Sequence, residues 1–194
     1  MFEMTMEPLI KDNENNVWND YVPIIKKGNT YEVYLTNMID APNFYNELID
    51  LLGNLEEYNT VVLNINNGGG HVDSAFMLVD AIKMSEAEVI AKVSGTVASA
   101  ATIITLACDG VITTKYLAFM IHNYSTGMEG KGHELKAYQT FTDRELNRAF
   151  KEIYKGFLTD KEMEDVIDGK DIWLNEYEVS ERWENKIEYN NKGN

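Results

Sequence analysis

A single serine stands in a stretch of small residues near the middle of the chain. Residues 94–103 read SGTVASAATI, so Ser99 has only small neighbours, between a β-branched run and an apolar run. A hydroxyl at a strand-to-helix junction meets the positive end of the helix dipole and backbone N–H groups that can hold an anion. Such a serine suits nucleophilic chemistry. The alternative interpretation is an N-cap among alanines that allow close packing.

A histidine and a glycine turn could take part in the same chemistry. His122 directly follows the predicted strand LAFMI, and open α/β sheets place catalytic groups at the carboxyl ends of strands. The turn NNGGG at residues 66–70 follows another strand; its N–H groups could hold a phosphate, form an oxyanion hole, or belong to a plain turn. Taken singly, His122 could equally be structural. Together with Ser99, these parts are what serine hydrolysis requires, apart from a carboxylate to orient the histidine.

Alternating strand and helix patterns predict the elements that would position these residues. Short β-branched runs predict strands, and apolar residues three or four apart predict helices. Repeated strand–turn–helix units favour right-handed crossovers and an α/β fold in one domain. Strands are predicted at residues 31–35, 60–65 and 88–93, with two more within 111–121, and helices at 43–55, 72–84, 99–109 and 134–157.

The two ends of the chain carry weaker patterns. Residues 1–30 are polar, which predicts an irregular N-terminal arm before a domain over residues 31–194. The tail ENKIEYNNKGN, residues 184–194, is predicted as a last strand. Capping-box patterns, which mark helix starts, occur at Thr159 with Glu162 and at Asn175 with Glu178.

The composition argues against several classes of protein. The chain has 194 residues, of which 44% are hydrophobic and 25% charged, as in a globular domain, and no apolar run approaches the roughly 18 residues of a membrane span. A net charge of −15 without a basic run argues against nucleic acid as a partner. The N-terminus is acidic where a signal peptide would be basic, so we expect a cytoplasmic protein with no membrane partner. No HxxxH or CxxC spacing is present, so no metal site is predicted.

Three short motifs around these residues occur in the same order in a known protein family. There, a strand ends in Asn-Ser-Pro-Gly-Gly, matched here by N-N-G-G-G at 66–70. The family's nucleophile lies in Gly-x-Ala-Ala-Ser-Met-Gly, matched by G-T-V-A-S-A-A at 95–101, and its histidine in Met-Ile-His-Gln-Pro, matched by M-I-H-N-Y at 120–124. From about residue 31 to 189, the chain thus resembles the proteolytic subunit of the Clp protease, within the wider Clp protease/crotonase superfamily.

The resemblance implies a role for each matched residue. Ser99 would be the nucleophile and His122 the general base and then the general acid. The spacing from the histidine puts the triad aspartate of the family at Asp171, which would fix the histidine tautomer. The backbone N–H groups of Gly70 and Ala100 would form the oxyanion hole.

The resemblance also implies an architecture and partners. Repeated β-β-α units would form a spiral, and residues 123–157 would be the "handle" segment, whose long helix protrudes and pairs two stacked rings of about 14 subunits in total. The segment 134–157 carries an apolar stripe that includes Phe141, Phe150 and Phe157, and this stripe would be buried between subunits. Polypeptides would be the substrates, and an AAA+ unfoldase is a candidate partner. No cofactor is implied, because ATP would enter only through that unfoldase.

The leading hypothesis is therefore a serine endopeptidase that works through an acyl-enzyme inside a ring chamber. One alternative is a crotonase-like acyl-CoA or thioester enzyme, which would use the same kind of oxyanion hole. A second is a catalytically silent scaffold that keeps the rings. A third is a capsid-maturation protease of the kind found among divergent phage relatives.

Overall fold

The computed structural model describes residues 21–127 and 129–192, and shows one mixed sheet with helices packed on it. The strands are β1 (Ile24–Lys27), β2 (Thr30–Leu35), β3 (Thr60–Asn67), β4 (Glu88–Ala98), β5 (Gly110–Thr113), β6 (Ala118–Ile121) and β7 (Ile172–Leu174). The helices are α1 (Asn46–Asn54), α2 (Val72–Met84), α3 (Ala100–Ala107), α4 (Gly132–Ile153), α5 (Asp160–Ile167) and α6 (Glu176–Lys192), with a 3₁₀ turn at Pro42–Tyr45 before α1. The predicted α/β class is confirmed.

The central strands run parallel and the two outer strands run antiparallel to their neighbours. The order across the sheet is β1-β2-β3-β4-β6-β7, and β5 pairs with the first half of β4 while β6 pairs with its last residues. Because β2, β3, β4 and β6 are parallel, their carboxyl ends lie at one edge of the sheet. That edge is where α/β proteins carry their functional loops.

The core lies between the sheet and its helices. Each buried strand points alternate side chains into it, as Val89, Ala91 and Val93 do along β4. All eight residues of α3 are buried, which explains why this segment is apolar throughout instead of striped. Among the described residues, no helix is both long enough and apolar enough to cross a membrane.

Both ends of the described chain differ from the sequence-based expectation. Ile24–Lys27 lies inside the predicted irregular arm, yet it forms β1 and pairs antiparallel with β2; the first 20 residues of that arm lie outside the described residues. The prediction of a strand in the tail is wrong, because residues 184–192 continue α6. The buried residues of α6, which are Val179, Trp183 and Lys186, recur at helical spacing and anchor it to the body.

The long helix α4 is present, but its apolar stripe divides into two parts. Phe150, in its last turn, and Phe157, just after it, are buried in the core of the same chain. Tyr138 and Phe141, in its first half, are each 56% exposed. The expectation that Phe150 and Phe157 would be covered by another subunit is therefore wrong, whereas Tyr138 and Phe141 remain uncovered in the single chain.

Contacts from α6 hold the carboxyl end of α4 and join α6 to α5. The ammonium group of Lys186 donates hydrogen bonds to the carbonyl oxygens of Ile153, at 2.6 Å, and Lys155, at 3.2 Å, and burial lowers the lysine pKa to about 8. Arg182 binds both carboxylate oxygens of Glu162, at 2.9 and 2.7 Å, and this contact lowers the Glu162 pKa to about 2. Both predicted capping boxes are confirmed, at the starts of α5 and α6.

Candidate active site

Ser99 occupies a sharp turn between β4 and α3. Its φ of 56° makes it the one non-glycine residue with positive φ in the described ranges. Ser99 lies at the N-cap position of α3, but its side chain makes no capping hydrogen bond to that helix. A non-glycine residue in this conformation costs about 1–3 kcal/mol, and strained turns of this kind present serine nucleophiles at the edge of a sheet.

Three hydrogen bonds to the backbone of Ser99 hold the residue in this conformation. Its N–H donates to the carbonyl oxygen of Met120 on β6, at 2.9 Å. Its carbonyl oxygen accepts twice from Thr102, from the backbone N–H at 2.9 Å and from the hydroxyl at 2.7 Å. The serine backbone is thus fixed on both sides, while its half-buried side chain has no hydrogen-bond partner among the described residues.

The glycine turn after β3 packs directly against Ser99. A Cβ atom added to Gly69 would lie 2.6 Å from Ser99 Cβ, 2.7 Å from the Ala98 carbonyl oxygen and 3.0 Å from the Ala100 nitrogen. These distances leave no room for a side chain, and Gly69 also has a φ of 95°. Gly69 is therefore the glycine that lets the turn approach the serine, a role that the motif alone did not identify.

The amides of Gly70 and Ala100, expected to act together, belong to the residues that directly follow Gly69 and Ser99. Ile39 accepts from the His71 N–H at 2.8 Å and donates to the Gly69 carbonyl oxygen at 2.9 Å. In such a parallel bridge the N–H of the residue between, Gly70, points away from Ile39. Within residues 21–127 and 129–192, neither the Gly70 nor the Ala100 N–H has an acceptor, so both are free to bind an oxyanion.

Asn67 fixes the shape of the glycine turn, and sequence analysis gave it no role. Its side-chain oxygen accepts from the Gly69 N–H at 2.8 Å, and its amide group donates to the carbonyl oxygens of Asn37 and Leu35 at the end of β2. The residue is 3% exposed. An asparagine at a strand end before several glycines is the local signal that could have identified it.

His122 and Asp171 directly flank the last strand pair. Ile121 on β6 is opposite Ile172 on β7, and continuing this antiparallel register by one residue would place His122 opposite Asp171. Cβ atoms of directly opposite residues are about 4.5–5.5 Å apart. Ala98 is opposite Met120 across β4 and β6, so Ser99 lies beside the end of β6 as well. The fold thus brings all three residues to one edge of the sheet, but no hydrogen bond joins their side chains in the described structure.

The side chains of the two residues after His122 form hydrogen bonds to helices. The Asn123 amide donates to the Ile167 carbonyl oxygen at 2.9 Å, at the end of α5. The Tyr124 hydroxyl donates to the Asp143 carboxylate in the middle of α4, and this contact raises the Tyr124 pKa to about 12. The position of His122 is thereby linked to α4 and α5.

A comparison with known families identifies the chain. The family model described as Clp protease matches residues 16–181. The chain belongs to the Clp protease family. The resemblance inferred from the three motifs is confirmed, and so is the predicted fold class.

Two individual proteins similar to this chain are also Clp protease subunits. The chain is 32% identical over 124 residues to the ATP-dependent Clp protease proteolytic subunit 2 of Pseudomonas aeruginosa. That match covers 61% of this chain and 60% of the relative's length. A solved structure of a ClpP1 mutant from Listeria monocytogenes has a TM-score of 0.60 at 23% sequence identity, covering 78% of this chain and 86% of that one. The Clp protease fold therefore extends over most of the chain.

Proposed function

We propose that this protein is a serine endopeptidase. Ser99 is the nucleophile, His122 the general base and then the general acid, and Asp171 the carboxylate that orients the imidazole. The backbone N–H groups of Gly70 and Ala100 form the oxyanion hole. The observation that carries the proposal is the strained Ser99 turn, packed on a glycine turn with free amides, in a chain of the Clp protease family.

The chemistry follows from these roles. His122 takes the hydroxyl proton as Ser99 Oγ attacks the peptide carbonyl carbon, and the negative charge that develops on the oxygen is stabilised by the two amides. His122 then gives its proton to the leaving amine, and the C–N bond breaks to leave an acyl-Ser99 ester. A water molecule, deprotonated by His122, attacks this ester. The bond from the acyl carbon to Ser99 Oγ then breaks, His122 returns the proton to Oγ, and the new carboxyl end is released. No metal or cofactor takes part in this sequence.

Covalent labelling tests the proposal directly. A fluorophosphonate probe, followed by peptide mapping, should modify Ser99 and no other serine, because only an activated serine attacks the phosphorus atom. The same preparation should hydrolyse peptides and not acyl-CoA thioesters. Label on another serine, or thioester turnover without peptide turnover, would contradict the proposal.

We further propose that the protein works as stacked rings of about 14 subunits that enclose the active sites. The support on the chain itself is the first half of α4, where Tyr138 and Phe141 stay exposed. Large apolar side chains grouped on one protruding helix are typical of an interface. The polypeptide substrates would be delivered by an AAA+ unfoldase, which alone would use ATP.

Changing this helix surface should break the assembly. In light scattering coupled to size-exclusion chromatography, we expect the native protein to run as a multi-ring oligomer. Tyr138→Asp combined with Phe141→Asp should give single rings or smaller species, because each buried apolar side chain contributes roughly 1.5–3 kcal/mol to an interface. Tyr58→Asp, at an exposed aromatic residue outside α4, is the matched control and should leave the mass unchanged. A wild-type mass of one subunit at micromolar concentration would refute the interface.

A further inference from the structure

A line of buried hydroxyl groups runs from the end of α4 to the backbone of Ser99. The Tyr154 and Thr102 hydroxyl oxygens are 2.6 Å apart, and the Thr102 hydroxyl lies 2.7 Å from the Ser99 carbonyl oxygen. Tyr154 is 2% exposed and Thr102 is fully buried. Burial also raises the pKa of the Tyr154 phenol, which keeps it protonated.

The direction of these hydrogen bonds follows from counting protons. A threonine hydroxyl has one proton, and the carbonyl oxygen of Ser99 can only accept, so the Thr102 proton points to Ser99. The Tyr154 hydroxyl must then donate to the Thr102 oxygen. Hydrogen bonds in such a chain polarise one another, so each strengthens the next.

The carbonyl at the end of this line belongs to the same peptide group as the Ala100 N–H. A trans peptide is planar, and its C=O and N–H bonds point in opposite directions. Holding the Ser99 carbonyl oxygen toward Thr102 therefore directs the Ala100 N–H away from Thr102, within the same peptide plane. Hydrogen bonding to the carbonyl oxygen also draws electron density from the amide and makes its N–H a better donor.

We propose that Thr102 and Tyr154 are positioning residues that aim and strengthen the Ala100 N–H as an oxyanion donor. This inference rests on the proposed function, because it assumes that Ala100 stabilises an oxyanion formed at Ser99. Neither side chain touches the substrate. Tyr154 directly follows α4, and its neighbours Ile153 and Lys155 are held by Lys186, so the line starts from a fixed point.

Isosteric variants test the line. Tyr154→Phe and Thr102→Val remove one hydroxyl each and keep the side-chain shape. Each should lower kcat roughly 10-fold with KM within about twofold, a smaller loss than the 10²–10³ that removal of an oxyanion donor causes. The rate of fluorophosphonate labelling at Ser99 should fall in parallel. The double variant should be no worse than either single one, because both interrupt the same line.

Two further variants on α3 separate positioning from packing. Thr102→Ser keeps the hydroxyl and should restore kcat. Thr105→Val removes an equally buried hydroxyl one turn away, which donates to the Ala101 carbonyl oxygen at 2.8 Å, and should leave kcat unchanged. Wild-type kcat in Tyr154→Phe and Thr102→Val, an equal loss in Thr105→Val, or a change confined to KM would overturn the inference. A wild-type protein that neither hydrolyses peptides nor labels at Ser99 would instead refute the proposed function itself, and the inference with it.

Discussion

Replacing Ser99 with alanine is expected to lower the rate of peptide hydrolysis by about 10⁴-fold or more. The substitution removes the only atom that forms the acyl-enzyme, while the free amides of Gly70 and Ala100 remain. Residual binding and oxyanion stabilisation then leave a small rate above the uncatalysed reaction. The measurement is steady-state hydrolysis of a fluorogenic peptide.

The control for this variant is Ser94→Ala, at a half-buried serine of β4, the strand that leads to Ser99; this variant should keep normal turnover and normal labelling. Alanine also adopts a positive φ only at a cost, as serine does, so Ser99→Ala should retain the fold and the thermal midpoint of the wild type. Normal hydrolysis by Ser99→Ala would end the serine-peptidase proposal.

Asp171→Asn should lower kcat by roughly 10²–10⁴-fold without changing the assembly. An asparagine keeps the size of the side chain but loses the negative charge, and its amide group can donate a hydrogen bond to the neighbouring ring nitrogen. His122 would then be held in the wrong tautomer, with its proton on the nitrogen that must accept one from Ser99. Steady-state kinetics and the mass in solution are the two measurements.

Asp168→Asn is the matched control, because the two acids are three residues apart and both are exposed. Asp168 ends α5 as its C-cap, whereas Asp171 comes directly before β7, one residue beyond the Ile121–Ile172 pair and on the same side as His122. We therefore expect Asp168→Asn to have little effect. If Asp168 proves the sensitive residue, the acid of the triad is misassigned.

Most of the regular elements, and the motifs at their ends, could be predicted from local patterns of residues. The prediction for α2 coincides with Val72–Met84, and β3 and β4 begin at the residues expected from their β-branched runs. These signals are local, because the side chains that decide them lie within a few residues of one another. For the same reason, the capping boxes of α5 and α6 could be predicted from residues three apart in the sequence.

The predicted strands also implied that the candidate site residues would lie close together. Parallel strands end at one edge, so residues after β3, β4 and β6 had to approach one another. The motifs did not predict the backbone conformation of Ser99. Its positive φ depends on hydrogen bonds to β6 and α3.

Local patterns did not predict which face of each helix is covered or which distant residues meet. The spacing of α4 predicted one continuous stripe, yet its end packs on the core of the chain and its first half does not. The hydroxyls of Tyr154 and Thr102 come from positions 52 residues apart, and Asn67 reaches the end of β2 from 30 residues away. Such pairs depend on how the helices pack on the sheet, and packing is a property of the whole chain that no local pattern of residue types contains.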